Sequence, residues 1–251
     1  MKNDEPIVKK QDFFVALALL SRLPVHVDGF DRGARAAWAY PLIGLVIGGI
    51  AGFAGLFAHW IGMPAELTAL ITLCIMVVLT GAMHEDGLAD TADGLWGGWD
   101  RLRRLEIMQD SQIGTYGVLA LLFAFSARWV ALWALFSVGP GVALSAILAA
   151  SLLSRATLPA LMAALPNARG SGLSHRTGPC PAETAWLAAA LAFALAILLL
   201  GSGAIPATLL AGMAALGVGV IAYRKIGGQT GDILGAAQQA SEITVLFLLV
   251  T

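Results

Sequence analysis

Seven long apolar runs separated by short polar joints leave this chain few folds to choose from. They cover approximately residues 36–60, 66–83, 114–138, 142–165, 184–201, 203–223 and, in a more polar form, 232–250. As a helix, each is long enough to cross a hydrocarbon layer of roughly 30 Å. Inside lipid, only a helix satisfies its own backbone within a single segment. Composition agrees: 58% of the residues are hydrophobic and 12% charged, with a mean hydropathy of +0.80. An ordinary soluble domain carries about 25% charge. The expected fold is all-α, a polytopic membrane helical bundle forming one domain over residues 1–251, with about seven transmembrane spans.

An eighth apolar stretch, 13–20, is too short to span and has no small-residue cleavage site, so a helix at the interface or a re-entrant one is expected there. Gly44, Gly48, Gly52 and Gly55 repeat at the spacing that lets membrane helices approach closely. The last run carries Gln238, Gln239, Ser241 and Glu242 in its first half, so one side of it must pack against other helices. No repeat of transporter-like halves is visible, and Cys74 and Cys180 suggest no disulfide framework.

Positive charge gives an orientation. Lys2, Lys9, Lys10, Arg22, Arg32 and Arg35 precede the first run; Arg101, Arg103 and Arg104 follow the second; Arg169 and Arg176 follow the fourth; Arg224 and Lys225 follow the sixth. All fall on one side, and the other joints hold no Lys or Arg. The positive-inside rule therefore puts the N-terminus in the cytoplasm. Only Arg128 and Arg155 lie within runs, where a charge is costly and must be paired. With a net charge of -1 the chain suggests no nucleic-acid partner.

The chemistry collects on the cytoplasmic side. HEDGLADTADGLWGG, residues 84–98, places Glu85, Asp86, Asp90 and Asp93 close together after an apolar run. On a helix Asp86, Asp90 and Asp93 stand at i, i+4 and i+7 and share a face, with Glu85 to one side. Such a face repels itself without a cation. Hard ions such as Mg²⁺ take carboxylate oxygens together with those of a phosphate, so metal-assisted phosphoryl chemistry is expected. Asp110 and Asp232 lie in other joints on the same side and extend the metal-ligand set. His84 is open to two readings, the polar end of a span or a group near the site. Arg22, Arg101, Arg104, Arg169, Arg224 and Lys225 are candidates to neutralise substrate phosphates. Gly227, Gly228 and Gly231 sit in a glycine-rich joint whose backbone N–H groups can receive phosphate oxygens. No Walker loop, dinucleotide fingerprint or zinc-protease motif is present.

The acidic motif, followed by RRLEIMQDSQIGTYGVLAL, resembles the signature of the cobalamin synthase family, the cobalamin 5'-phosphate synthases or adenosylcobinamide-GDP ribazoletransferases. SRLPV at 21–25, YPLIG at 40–44, the 169–173 segment and GGQTGDILGA at 227–236 fall in the order such proteins show. Gln109 and Gln112 stand where the family more often has basic residues. The resemblance implies a bacterial inner-membrane enzyme that joins adenosylcobinamide-GDP to α-ribazole or its 5'-phosphate, releases GMP and requires Mg²⁺. The joined reading has Asp86, Asp90 and Asp93 in the catalytic centre, with Asp93 accepting the proton of the attacking hydroxyl. The lipid bilayer is the other implied partner, and a homo-oligomer is compatible with the sequence. Two further classes compete with this reading. A CDP-alcohol phosphotransferase does similar chemistry, but its motif has Arg after the alanine where this chain has Asp90. A cation transporter would face acids across repeated halves near mid-bilayer, whereas this cluster sits at one end of a run.

Overall fold

The computed structural model describes residues 6–251, so Lys2, one of the basic residues used above for orientation, lies outside the described residues. The described chain is helical, with no strand, and a single isolated backbone bridge joins Asn167 to Gln229. In order, the helices are α1 (Gln11–Leu20), a 3-10 helix (Gly33–Ala39), α2 (Tyr40–Trp60), α3 (Ala65–Thr80), α4 (Met83–Gly97), α5 (Arg101–Ile107), α6 (Thr115–Val138), α7 (Pro140–Ala164), α8 (Leu173–Thr177), α9 (Ala182–Leu200), α10 (Ala204–Ile226) and α11 (Gly231–Val250).

Each of the seven expected apolar runs is met by a helix: α2, α3, α6, α7, α9, α10 and α11. By length and composition five helical stretches can cross a membrane, or six if α3 and α4 make one broken span. One of the five, Ala182–Ile226, contains both α9 and α10. The chain turns between them at Gly201–Gly203, and the two helices touch each other and α7. The second expected span is corrected. It stops at Thr80, because Gly81 and Ala82 both adopt left-handed backbone (φ 63° and 58°), and α4 leaves at 85° to α3. Left-handed backbone at a non-glycine residue is uncommon; at Ala82 it marks the corner that turns the acidic motif away from the apolar run.

α7 is the central helix, packed against α2, α6, α9, α10 and α11. Every residue from Ala149 to Pro159 is buried, as expected of a helix surrounded by others. The glycine seam packs as its spacing suggests. A Cβ on Gly44 would strike the Ser151 carbonyl, one on Gly48 would crowd the Ser151 side chain at 3.0 Å, and one on Gly52 would meet Leu144 at 2.6 Å, all on α7.

α1 packs on the 3-10 helix and the start of α2. Asp12 is its anchor. The buried carboxylate accepts from Arg32 Nε at 2.8 Å, Trp38 Nε1 at 2.8 Å and the Lys9 backbone at 2.9 Å. Burial pushes the Asp12 pKa up, but the bonds from Arg32, Trp38 and Lys9 outweigh it and hold it below the usual 3.8. The clamp therefore contributes stability above that value and loses it as pH falls through the lower folded value. In melting experiments the advantage of the unaltered protein over Asp12→Asn is expected to be constant near neutrality and to shrink only below pH 3.8.

Candidate active site

The acidic motif is one helix, α4, and its four acids go to three different places. Glu85, at the first turn, points into the bundle and meets Arg128 of α6 at 2.7 Å. Arg128 also pairs with Glu242 of α11 at 2.8 Å, and Gln239 bonds both Arg128 and Glu85. Gln238 donates to Glu242 at 2.7 Å, while Arg155 of α7 stands 3.7 Å from the same carboxylate. The two arginines inside runs are thus paired; Gln238, Gln239 and Glu242 of the last run face this network, while Ser241 donates to the Ala211 carbonyl of α10. Glu85 is engaged in it rather than gathered with the other acids.

Asp93 does something else. Its oxygens accept from the backbone N–H groups of Gly114 at 2.7 Å and Gly117 at 2.9 Å. These belong to the N-terminus of α6, where backbone donors lack intrahelical partners and the helix dipole favours an anion. A Cβ on either glycine would collide with the Asp93 carboxylate. Asp93 therefore fastens α4 to α6, each of its oxygens already accepting one backbone N–H.

Asp86 and Asp90 remain, and the α4–α11 crossing brings Asp232 to them. Gly87 and Gly235 meet there: a Cβ on Gly87 would lie 2.9 Å from the Asp232 carbonyl and 3.3 Å from Cα of Gly235. Two glycines, each close in sequence to an acid, let the helices touch backbone to backbone. The charges of Asp86, Asp232 and Asp93 all act on Asp90, with Arg169 opposing them. Arg169 bonds the Asp232 carboxylate, and its Nε is buried without a partner. Asp86, Asp232, Arg169, His84 and Gly231 line one cleft. His84 is 2% exposed and its Nε2 has no hydrogen-bond partner. This histidine, which the sequence left open, is revealed by the cleft itself. Replacing Gly87 by Ala is expected to force α4 off α11 and cut turnover by on the order of tenfold or more, since misplacing reacting groups by an ångström is costly. Comparing kcat in Gly87→Ala and Gly97→Ala, a glycine with only a loose contact at 3.7 Å, checks this.

The cations also divide. Arg101 donates to the carbonyls of Ile226 (2.8 Å) and Ala168 (2.9 Å). Arg104 donates to those of Gly98, Lys225 and Trp99. Lys225 reaches the Leu95 carbonyl at 2.6 Å, near the C-terminus of α4, and lies over the Trp96 ring. These three tie the joints together. Gly227, left-handed at φ 79°, ends α10. Gly228 is where the chain passes the Pro166 carbonyl, beside the Asn167–Gln229 bridge. Arg224 is exposed in the last turn of α10, and Asp110 is exposed in a turn, accepting from the Gln112 backbone; neither lines the cleft. Arg22 lies on a neighbouring cleft.

Three carboxylates offset by one arginine suit a divalent cation whose other ligands come from a substrate. Among the described residues, no group of three or more His, Cys, Asp or Glu side chains stands close enough to hold a metal by itself. Asp86, Asp90 and Asp232 could therefore supply at most part of a coordination shell; Mg²⁺ commonly takes one or two carboxylates and completes its shell with phosphate oxygens and water.

The family model for cobalamin-5-phosphate synthase matches residues 12–250. The chain belongs to this family. Proteins named adenosylcobinamide-GDP ribazoletransferase are similar over nearly the full length of both chains. That of Bradyrhizobium diazoefficiens is 43% identical over 243 residues, covering 94% of this chain and 92% of its own. The Mesorhizobium japonicum protein is 43% identical over 240 residues with the same coverage. The Azorhizobium caulinodans protein is 44% identical over 251 residues, covering 94% and 93%. No solved structure matches. The family assignment agrees with the resemblance carried by the acidic motif, and α4 with its glycine crossing is what that motif builds.

Proposed function

We infer that the chain is an adenosylcobinamide-GDP ribazoletransferase acting with Mg²⁺ at the cytoplasmic face of a bacterial inner membrane. The observation that supports the site assignment is the Gly87–Gly235 crossing, where Asp86, Asp232 and Arg169 line one cleft and Asp90 stands close enough to feel the charges of all three. A ribose hydroxyl of α-ribazole, or of its 5'-phosphate, attacks the corrinoid-linked phosphorus. The new P–O bond forms as the anhydride bond to GMP breaks.

Asp86, Asp90 and Asp232 would be the residues to hold a divalent cation, which would supply charge withdrawal at the phosphate under attack and stabilisation of the GMP leaving group. Arg169, with an unpartnered buried Nε, is the cation best placed to meet a phosphate oxygen. Asp93 is engaged by two backbone N–H groups, whereas His84 lines the cleft and its buried Nε2 has no partner, so His84 is the group assigned to take the proton of the attacking hydroxyl.

Purified protein incubated with Mg²⁺, adenosylcobinamide-GDP and α-ribazole 5'-phosphate is expected to release GMP and form cobalamin 5'-phosphate. A well-folded sample that forms neither product would overturn the reading. Release of CMP from a CDP-alcohol would instead support the phospholipid-type transferase.

A further inference from the structure

The cleft at Asp86 and Asp232 continues into a second one. The two share Leu19, Tyr40, Met83, Leu173 and Thr177, so they are arms of one trough meeting beside Tyr40 and Met83. The arms differ in charge. One carries Asp86 and Asp232 with Arg169. The other has no acid in its lining and two cations, Arg22 and Arg176, on walls that include Val15, Ala18, Phe30 and Ala36. An apolar trough lined by two arginines suits a ligand with an uncharged ring body and an anionic end.

These two arginines differ from the others near the site. Arg101 and Arg104 are engaged with backbone carbonyls, Arg32 with Asp12, Arg128 with glutamates and Arg169 with Asp232. Among the described residues neither Arg22 nor Arg176 has an acid partner. Arg22 is nevertheless held in place. Its backbone N–H donates to the Leu79 carbonyl at 2.7 Å, and its side chain lies over Gly81, where a Cβ would strike Nε. The corner that turns α4 away from α3 therefore also seats this guanidinium. Arg176 arrives from α8, far away in sequence.

We propose that this second arm is the acceptor subsite, taking a phosphorylated nucleoside with an uncharged aromatic base, its phosphate on Arg22 and Arg176 and its ribose toward Asp86. The proposal rests on the function inferred above. It segregates the two anionic groups: the donor diphosphate goes with metal to the acidic arm, and the acceptor monophosphate goes to the cationic arm. The arginine pair thus favours the phosphorylated acceptor over the free nucleoside.

The test is the ratio of kcat/KM for α-ribazole 5'-phosphate to that for α-ribazole, both with adenosylcobinamide-GDP. Arg22→Ala and Arg176→Ala, made singly, are each expected to lower this ratio by about tenfold, the scale of one charge-assisted hydrogen bond. Arg→Lys at either position is expected to restore much of it. The unaltered enzyme supplies a reading that needs no variant. Its ratio is expected to fall as ionic strength rises from about 0.01 to 1 M, over which the Debye length shrinks from about 30 to 3 Å. A ratio that moves in neither variant nor with salt, including the case in which these arginines bind anionic lipid, would overturn the subsite while leaving the function standing. No turnover of either acceptor by the unaltered protein would overturn both.

Discussion

Asp86→Asn and Asp90→Asn are each expected to lower turnover on the order of a hundredfold at ordinary Mg²⁺, with partial recovery at high Mg²⁺. The size follows from what would be removed under the proposed function: a carboxylate that helps hold the cation stabilising charge in the transition state, and loss of one such stabilising group in other enzymes costs a hundredfold or more. Asparagine keeps the shape and one oxygen but discards the negative charge that draws the cation. Recovery at high Mg²⁺ separates a weakened metal site from a displaced helix, which metal cannot repair. Neither side chain is fully buried, Asp86 being exposed and Asp90 partly so, so the substitutions leave the bundle standing. Initial rates against Mg²⁺ concentration check this. Turnover within a few-fold of the unaltered protein at every concentration would remove both residues from the metal's shell.

Arg128→Ala is expected to damage the fold most. Arg128 is 2% exposed and holds Glu85 and Glu242 at 2.7 and 2.8 Å, so its removal leaves two carboxylates without that partner inside the bundle. Removing one member of a buried pair typically costs roughly 3–5 kcal/mol, because a charge is stranded rather than because the pair was strongly favourable. The same reasoning gives a control. Replacing Arg128 by Met together with Glu85→Gln removes charge of both signs and is expected to recover a substantial part of that loss, as replaced ion pairs often do. Folded yield and thermal midpoint in detergent are the readouts. Because Glu85 begins α4, Arg128→Ala also frees the helix that carries Asp86 and Asp90, so activity is expected to fall faster than folded protein.

Much of this was legible in the residues. Hydropathy gave the helices because a lipid-embedded backbone has few alternatives, and the seam at Gly44, Gly48 and Gly52 packs as small residues at that spacing do. The acidic motif marks the candidate site because crowded carboxylates are costly without a ligand. What the pattern could not tell was how the acids divide. Helical spacing put Asp86, Asp90 and Asp93 on one face, yet the partners of that face are set by tertiary approach. Gly114 and Gly117 bring backbone donors to Asp93, and Arg128 draws in Glu85, from residues far along the chain. The engagements of the cations are hidden from the sequence for the same reason. Arg101, Arg104 and Lys225 look like phosphate ligands in sequence, but carbonyls at the ends of α4 and α10 and in the loop at Ala168 engage them first. The break at Gly81–Ala82 carried only a glycine as a signal, too common in this chain to single out.

The central claim, that the α4–α11 crossing holds a divalent cation on the donor diphosphate, is tested most directly with Mn²⁺, which accepts the same oxygen ligands as Mg²⁺. The measurement is the loss of the free-ion Mn²⁺ resonance on adding purified protein and adenosylcobinamide-GDP, compared with the Asp86→Asn/Asp90→Asn double variant. The expected result is tight, donor-dependent binding to the unaltered protein and binding weakened at least tenfold in the variant. Equal binding by the two proteins would contradict the assignment.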